Sequence, residues 1–238
     1  WTDEIMVDAP IQQHYLSFTT GGENSTIRLS LGYLTQDAIV KGKFKNDRYT
    51  LGLNISNQTT PWLSMAFTSN TFWERFKGPA GGADAITGED GIINQFQRSQ
   101  PTVPVRYSNG EFGFADGAWL RTNASARINN PLWRGQFGDH ENDNFNTSNR
   151  LALNAKFLKD FSFETSGAFN MNMNNESNFT PTRIDRDWKG DIVQQNELNT
   201  LSNTLGFFYR LQWENVLRYK KSFGDHNFSA LAGHSAMY

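Results

Sequence analysis

The sequence has no cysteine among its 238 residues, so it holds neither a disulfide framework nor a thiolate metal site. It also lacks any run of about 18 apolar residues, the length that a membrane-spanning helix requires. The formal net charge is −2, which gives no electrostatic footprint for nucleic acid. Disulfide-stapled, helical-membrane and nucleic-acid-binding proteins are therefore poor matches.

Apolar residues are scarce, at 37%, whereas aromatic residues reach 14% and phenylalanine alone counts 19. A soluble core of this size would draw more on leucine, isoleucine and valine. The wall of a transmembrane β-barrel needs only every second residue to be apolar, and it places aromatic residues at both membrane interfaces. The composition therefore favours a barrel wall.

Apolar and polar residues alternate along about eight segments, as they do in a sheet with one apolar and one polar face. Most segments reach nine or more residues, longer than the roughly 5–6 of soluble strands and close to the roughly 9–11 that cross a membrane. The predicted strands are 12–20, 25–35, 48–56, 61–73, 149–158, 161–174, 205–220 and 226–237.

Short and long connections alternate along the chain, as in a barrel with short periplasmic turns and long extracellular loops. The tight turns are predicted at 21–24, 57–60, 159–160 and 224–225, and the long loops at 36–47, 74–148 and 175–204. The strand at 12–20 then runs towards the periplasm, so we expect residues 1–11 to end an earlier loop.

The predicted fold is all-β: a transmembrane, antiparallel, up-and-down barrel. We expect residues 1–238 to form part of one barrel domain, with about eight consecutive strands of a larger barrel. An eight-stranded closed barrel is the alternative. The expected location is the Gram-negative outer membrane.

Several sequence motifs resemble those of the SusC-like (SusC/RagA-type) TonB-dependent outer-membrane transporters. The most specific ones lie in the first 55 residues, and the resemblance extends over essentially the whole chain. The matching segments are 1–5, 9–18, 21–26, 31–42, 47–54, 101–105, 109–113, 130–131 and 226–234. Ala38 departs from the usual glycine at a position beside a turn.

The resemblance implies a barrel of about 22 strands closed by a plug, of which this chain supplies roughly the second to ninth. It implies import of glycans or oligopeptides with a SusD-like surface lipoprotein as partner. TonB would act through a plug region that we expect outside this sequence, and outer-membrane lipid would surround the wall. No nucleic-acid partner is expected.

Aromatic residues in the long loops are candidates for contact with substrate or partner, because their rings offer area at low entropy cost. Packing of the loops against one another, or against the lipoprotein, is the alternative role. These candidates are Phe96, Phe114, Trp119, Trp133 and Trp188.

Two further sets lie on or beside the predicted strands. The first consists of charged residues on the polar faces, expected to face the lumen and to contact the plug or an anionic substrate: Arg28, Arg210, Glu214 and Arg218. The second consists of aromatic residues expected in the membrane-interface girdles: Tyr49, Trp62, Tyr209, Trp213 and Tyr219.

No catalytic constellation and no cofactor is predicted. Asp139, Glu141 and Asp143 alternate like the start of a calcium loop, but the glycine and late glutamate of such a loop are missing. A solvated polar loop is the preferred interpretation of this stretch, and no other metal site is indicated. Residues 84–98 are a candidate loop helix.

Two other functions compete with import. A SusC-like barrel can serve as a structural or assembly partner in an envelope complex, and its wall would have the same sequence pattern. A soluble β-rich carbohydrate-binding or adhesin module is the second alternative. It is disfavoured because the apolar faces would expose far more than a few hundred Å² to water.

Overall fold

The structure is a computed structural model that describes residues 1–82, 84–88, 91–99, 101–113, 130–186 and 189–238. Its main element is an eight-stranded antiparallel sheet with the order β1-β2-β3-β4-β5-β6-β9-β10. The strands are β1 (Ile11–Gly22), β2 (Ser25–Asp37), β3 (Lys45–Thr60), β4 (Leu63–Gly78), β5 (Asp139–Phe157), β6 (Phe161–Thr180), β9 (Thr200–Phe223) and β10 (His226–Met237). No helix in these ranges is long and apolar enough to cross a membrane.

The remaining elements are short and lie in the long connections. A separate hairpin joins β7 (Arg183–Arg186) to β8 (Ile192–Asn196) between β6 and β9. The helices are α1 (Thr2–Ile5), α2 (Asp84–Thr87), α3 (Ile92–Arg98) and α4 (Pro131–Arg134). The candidate loop helix at 84–98 is thus two short helices, with Gly91 at the N-cap of α3.

The predicted up-and-down β fold is confirmed, with every strand of the large sheet paired antiparallel to its neighbours. Short connections join the strands at one end of the sheet, and the long connections lie at the other. Strands β1 and β10 are its two edges and do not pair with each other in the described residues. The alternative of a closed eight-stranded barrel is therefore not what this segment forms.

Most strands extend further than their sequence pattern predicts. Strand β5 begins at Asp139 and β6 ends at Thr180, so both ends of each of the predicted loops at 74–148 and 175–204 are strand. At these ends both faces carry polar residues, so the period-2 signal fades although the hydrogen-bond ladder continues. The preferred interpretation of 139–144 as a solvated loop is wrong for this reason.

The turn predicted at 57–60 is also misplaced, because β3 continues to Thr60 and the chain turns at Pro61 and Trp62. The register shifts between Gln58 and Thr60. The Gln58 Nε2 donates to the carbonyl oxygens of Thr60, at 2.6 Å, and Leu63, at 3.2 Å. These polar residues therefore lie in the last part of the β3–β4 pair and hydrogen-bond its end, instead of forming the turn.

Two rows of aromatic rings cross the apolar face of the sheet. In the upper row, near the long loops, the rings of Tyr33 and Tyr49 lie 4.9 Å apart and those of Tyr49 and Trp73 lie 5.5 Å apart. In the lower row, Phe161 lies 5.6 Å from Phe157 and 4.7 Å from Tyr219.

The two rows bound a membrane-sized band. Phe145 belongs to the upper row by register, and Phe157 to the lower row on the same strand. At about 3.4 Å per residue and a tilt near 45°, their separation in sequence corresponds to a band of roughly 28 Å, close to the height expected for a barrel. The apolar face is therefore the lipid-facing surface, and the polar face lines the interior.

A small buried core forms where the long connections meet at the upper end. Its members come from α1, the β2–β3 loop, α3 and α4: Ile5, Val40, Phe44, Ile92 and Leu132. Phe76, on the polar face of β4, packs against this cluster. We call these packed connections the loop layer; they are anchored on the upper end of the polar face.

Candidate functional site

One row of the polar face carries two aromatic rings, which would normally be placed against lipid or in a core. The register aligns Phe72 with Asn146, Asn146 with Asn172, and Asn172 with Phe208 across four adjacent strands. Phe208 is 54% exposed and Phe72 is half-buried. We call these four residues the Phe–Asn row; it presents two apolar rings with two amides between them.

An arginine lies over each ring. The Arg48 guanidinium carbon is 4.3 Å from the centre of the Phe72 ring, and that of Arg210 is 5.6 Å from the Phe208 ring. Both distances lie within the range of cation–π attraction. Among the described residues, no carboxylate forms a salt bridge with either guanidinium, so both charges can attract an anion.

Asparagine residues surround the Phe–Asn row above and below. Asn144 and Asn174 are register partners in the row above, and the Asn172 Nδ2 donates to the Asn144 Oδ1 at 2.9 Å. In the row below, Asn70 and Asn170 flank Ser148. An amide has two donors and an acceptor oxygen, so this surface can hydrogen-bond many hydroxyl groups without adding charge.

A cavity separates the Phe–Asn row from the loop layer. It has a volume of about 360 Å³, within the range of small-ligand pockets. Phe44 and Ile86 line it on the loop side, and Asn46, Glu74 and Asn144 line it on the wall side. Glu74 is the register partner of Arg48. Its Oε1 accepts a hydrogen bond from the Asn46 Nδ2 at 2.9 Å.

The four predicted lumen residues all lie on the polar face, but at different heights. Arg210 flanks the Phe–Asn row, whereas the Arg28 Nε donates to the Ser17 Oγ at 3.3 Å one strand from the edge. Glu214 accepts from the Gln212 Nε2 at 2.8 Å. Near the short-turn end, Arg218 and Arg150 both bind Glu164, at 3.1 and 3.0 Å. The structure therefore does not bring the four together.

Of the five predicted contact aromatics, Phe96 and Trp133 lie in the described residues; Phe114, Trp119 and Trp188 lie outside them. Phe96 packs against the core of the loop layer. Trp133 is 7% exposed and stacks on Phe137 at 4.9 Å. Both residues therefore occupy packing positions, which is the alternative role given above.

Arg183 of β7 fastens the β7–β8 hairpin to the loop layer. Its guanidinium lies 3.5 Å from the centre of the Trp133 ring and 4.6 Å from that of Phe137, and it pairs with Asp185. Burial lowers the pKa of Arg183 to about 9, and the Glu111 carboxylate partly opposes this shift. The cation–π contacts thus join the hairpin to the loop layer, although burial disfavours the charged form of the guanidinium.

The predicted girdle residues divide by height. Tyr49 belongs to the upper row, Tyr209 lies one row below it, and Tyr219 belongs to the lower row. Trp62 lies in the β3–β4 turn, below the band, and is exposed. Trp213 faces lipid at mid-height opposite Gly167, and its Nε1 donates to the Thr165 Oγ1 at 3.0 Å. Trp213 thus lies outside both rows. The sequence could not indicate its height, because the alternation signal is the same for every aromatic residue on a wall strand.

The three calcium candidates lie above the upper aromatic row on β5, where each faces a basic side chain. Asp143 accepts from the Arg75 Nε and Nη2 at 2.7 and 2.9 Å. Glu141 lies 3.6 Å from the Lys77 Nζ, and Asp139 lies 2.8 Å from the Lys43 Nζ. Within the described residues, no three acidic or histidine side chains gather as a metal site.

The sequence interpretation missed Arg48, Phe72 and Phe208. Phe72 and Phe208 occupy polar positions in the alternation and directly adjoin Trp73 and Phe207, which face lipid. An aromatic residue out of phase with its strand was the available signal. It is weak, because adjacent aromatic residues obscure which one is out of phase.

The chain is similar along nearly its whole length to TonB-dependent receptors. Receptor P39 of Formosa agariphila is 29% identical over 221 residues, which are 92% of this chain and 19% of that protein. Receptor P3 of the same organism is 27% identical, with 99% of this chain and 22% of that protein covered. SusC of Bacteroides thetaiotaomicron is 25% identical, with 98% and 23% covered. No family model matches the chain.

Solved structures show the same fold. The RagAB peptide transporter superposes with a TM-score of 0.71 at 14% identity, covering 100% of this chain and 25% of that one. RagAB in its open-open state gives a TM-score of 0.72 at 15% identity, with the same coverage. At such identities the likeness concerns the fold alone.

These relatives, together with the two-faced sheet, define a segment of an outer-membrane β-barrel. More specifically, the resemblance is confirmed: the segment is similar to part of TonB-dependent receptors that include SusC. The chain spans about a fifth of the length of the relatives that it matches, from 19% to 23%.

Proposed function

We propose that this chain forms part of the wall and extracellular loops of a TonB-dependent importer for glycans or oligopeptides, working with a SusD-like surface lipoprotein. The observation that carries the proposal is the contrast between the two faces. A lipid-facing band bounded by two aromatic rows backs a polar, unpacked inner face, and a folded loop layer covers that inner face at one end only.

The chemistry of the polar face supports the proposal of a conduit that is closed by a plug. Near the short-turn end, Arg218, Glu164 and Arg150 form a fixed charged cluster, and Glu214 lies at the next level. Such groups hold a plug domain well, because pairing offsets their desolvation. Nearer the loops the side chains are amides and aromatic rings, which suit a transported ligand.

The packing of the loop layer supports the proposal that a partner docks on the outer surface. Its core is buried, and Arg183 fastens the β7–β8 hairpin to Trp133. A packed loop surface is more rigid than separate loops, so less ordering entropy is lost when a lipoprotein docks on it.

The test uses the full-length parent protein in its own outer membrane. The parent is purified in mild detergent, co-purifying lipoproteins are identified by mass spectrometry, and uptake of labelled oligosaccharides and oligopeptides is compared with and without the TonB box. A stoichiometric lipoprotein together with TonB-box-dependent uptake supports the proposal. Other envelope machinery in its place, with no such uptake, supports the structural-partner alternative.

A further inference from the structure

Within the described residues, no apolar core on the polar side of the wall accounts for the position of Phe72 and Phe208. Neither is a member of the buried core of the loop layer, and Phe208 is more than half exposed. An apolar ring that is exposed to water forgoes part of its burial free energy. That free energy becomes available to a ligand that covers the ring.

The two rings lie at a fixed separation. Phe72 is on β4 and Phe208 on β9, with β5 and β6 between them. At about 4.8 Å per strand spacing, the rings are roughly 14 Å apart. A ligand that touches both is therefore an oligomer, and it passes over the amides of Asn146 and Asn172.

The charges around the Phe–Asn row favour an anion. Three arginines without a salt bridge in the described residues lie at the levels from Asn144 down to Ala168: Arg28, Arg48 and Arg210. Arg150, at the lowest of these levels, pairs with Glu164. Within the described residues, Glu74 is the single acidic side chain on the polar face at these levels, and Asn46 already binds it. The surface is therefore cationic, although the whole chain has a slight negative net charge.

The mode of recognition favours a sugar over a peptide. Extended peptides are commonly bound by adding a strand to free backbone groups. Phe72, Asn146 and Asn172 sit inside ladders in which both neighbouring strands are paired, so at these three positions only side chains are available; within the described residues Phe208 pairs with β6 alone. Amides that both donate and accept suit hydroxyl groups, and flat rings suit the apolar faces of sugar rings.

We propose that the Phe–Asn row, with Arg48 and Arg210, is a binding site for an anionic oligosaccharide that carries carboxylate or sulfate groups. Phe72 and Phe208 stack on two of its sugar rings. Asn146 and Asn172 bind hydroxyl groups between them, and the two guanidinium groups bind the anionic substituents. This inference rests on the proposed import function and specifies its substrate class.

The experiment measures binding to the full-length parent by isothermal titration calorimetry. The probes are two matched pairs, tetragalacturonate with its full methyl ester and a sulfated carrageenan tetrasaccharide with its desulfated form, and tetraglutamate as an acidic peptide. At least one acidic sugar is expected to bind about tenfold or more tightly than its neutral partner, since hydrogen bonds to charged groups are the stronger kind.

Two variants locate the site. Arg48→Gln with Arg210→Gln should abolish the preference for the acidic sugar, while Phe72→Ala should weaken both members of a pair by about threefold to tenfold. Arg75→Gln, which removes one guanidinium charge from the lipid-facing side of β4, the strand that carries Phe72, should leave binding unchanged. Thermal unfolding of each variant establishes that it is folded.

Three results would overturn the inference: no acidic sugar binds more tightly than its neutral partner, the preference survives in the double arginine variant, or tetraglutamate alone shows the arginine-dependent binding. The proposed import function fails separately, when binding is as expected but uptake does not require the TonB box. Uptake that needs the TonB box without any charge preference leaves import standing and removes this site.

Discussion

Two rows of aromatic residues, at nearly the same height on opposite faces of one sheet, have opposite surroundings. Trp73 on the lipid-facing side stacks with Tyr49, and the Arg75 guanidinium lies 4.9 Å from its ring. Phe72, next to it in sequence, faces the interior with Arg48 over it. The first ring completes an interface row that every barrel needs; within the described residues, the second stacks on no other aromatic ring. The face that an aromatic residue occupies, rather than its presence, indicates its role.

The strongest way to break this comparison is to place a charge on each of the two faces of β5, within the membrane band. Leu151 lies midway between the aromatic rows on the lipid-facing side. Leu151→Arg should lower the free energy of unfolding of the parent barrel by about 2–4 kcal/mol, because the guanidinium would lie at the bilayer midplane. Urea titration in lipid vesicles measures this change.

The matched control is Ser148→Arg on the polar face of the same strand. Its side chain meets water, so its free energy of unfolding should change by less than about 0.5 kcal/mol. Equal losses in the two variants would mean that the faces are not lipid and water.

The adjacent pair Trp73 and Phe72 sharpens the comparison. Trp73→Ala should cost about 1–2 kcal/mol of stability, since it removes a ring stack and a cation–π contact, and should leave sugar binding intact. Phe72→Ala should cost little stability and weaken sugar binding. Unfolding titrations and calorimetry on both variants make the measurement; the reverse pattern would contradict the assignment of faces.

Polar side chains on the lipid-facing side should be stable only because they satisfy one another. The Ser69 Oγ donates to the Asn149 Oδ1 at 2.7 Å, and the Asn149 Nδ2 donates to the Thr147 Oγ1 at 3.0 Å. Asn149→Ala should therefore cost about 0.6–1.7 kcal/mol in lipid. The joint change with Ser69→Ala should be smaller than the sum of the single changes, as an unfolding double-mutant cycle would show.

The ion pair above the upper aromatic row should have the smallest effect. Arg75 and Asp143 are bidentate but about one third and one quarter exposed, so solvent screens them. A double-mutant cycle with Arg75→Gln and Asp143→Asn should give a coupling of about 0.5 kcal/mol that falls in high salt. A coupling unaffected by salt would place this pair in the hydrocarbon instead of above it.

Period-2 alternation predicted the eight-strand sheet and its two faces, because each strand crosses from one interface to the other with one side in lipid. The expected direction of the strands came from the lengths of the connections. It failed beyond the band. Asp139, for instance, begins a strand where both faces are wet and the alternation carries no signal. The turn at Pro61 was obscured by the polar run that precedes it.

The candidate site was harder to predict. The sequence identified Arg210 as a lumen residue, but the alignment of Phe72 with Asn146, Asn172 and Phe208 depends on the registers of three strand pairs. One of these pairs joins β4 to β5 across a long connection whose length sets no register. The local sequence predicts which face a side chain occupies more readily than it predicts which side chains of other strands lie beside it.

Cysteine accessibility along β5 tests the assignment of faces most directly, since this chain has no cysteine of its own. Single cysteines from 145 to 151 would be introduced into the parent in outer membranes and treated with a water-soluble maleimide. We predict labelling at Asn146, Ser148 and Arg150, and protection at Phe145, Thr147, Asn149 and Leu151. Uniform labelling, or alternation in the opposite phase, would contradict a lipid-facing apolar side and a water-facing polar side.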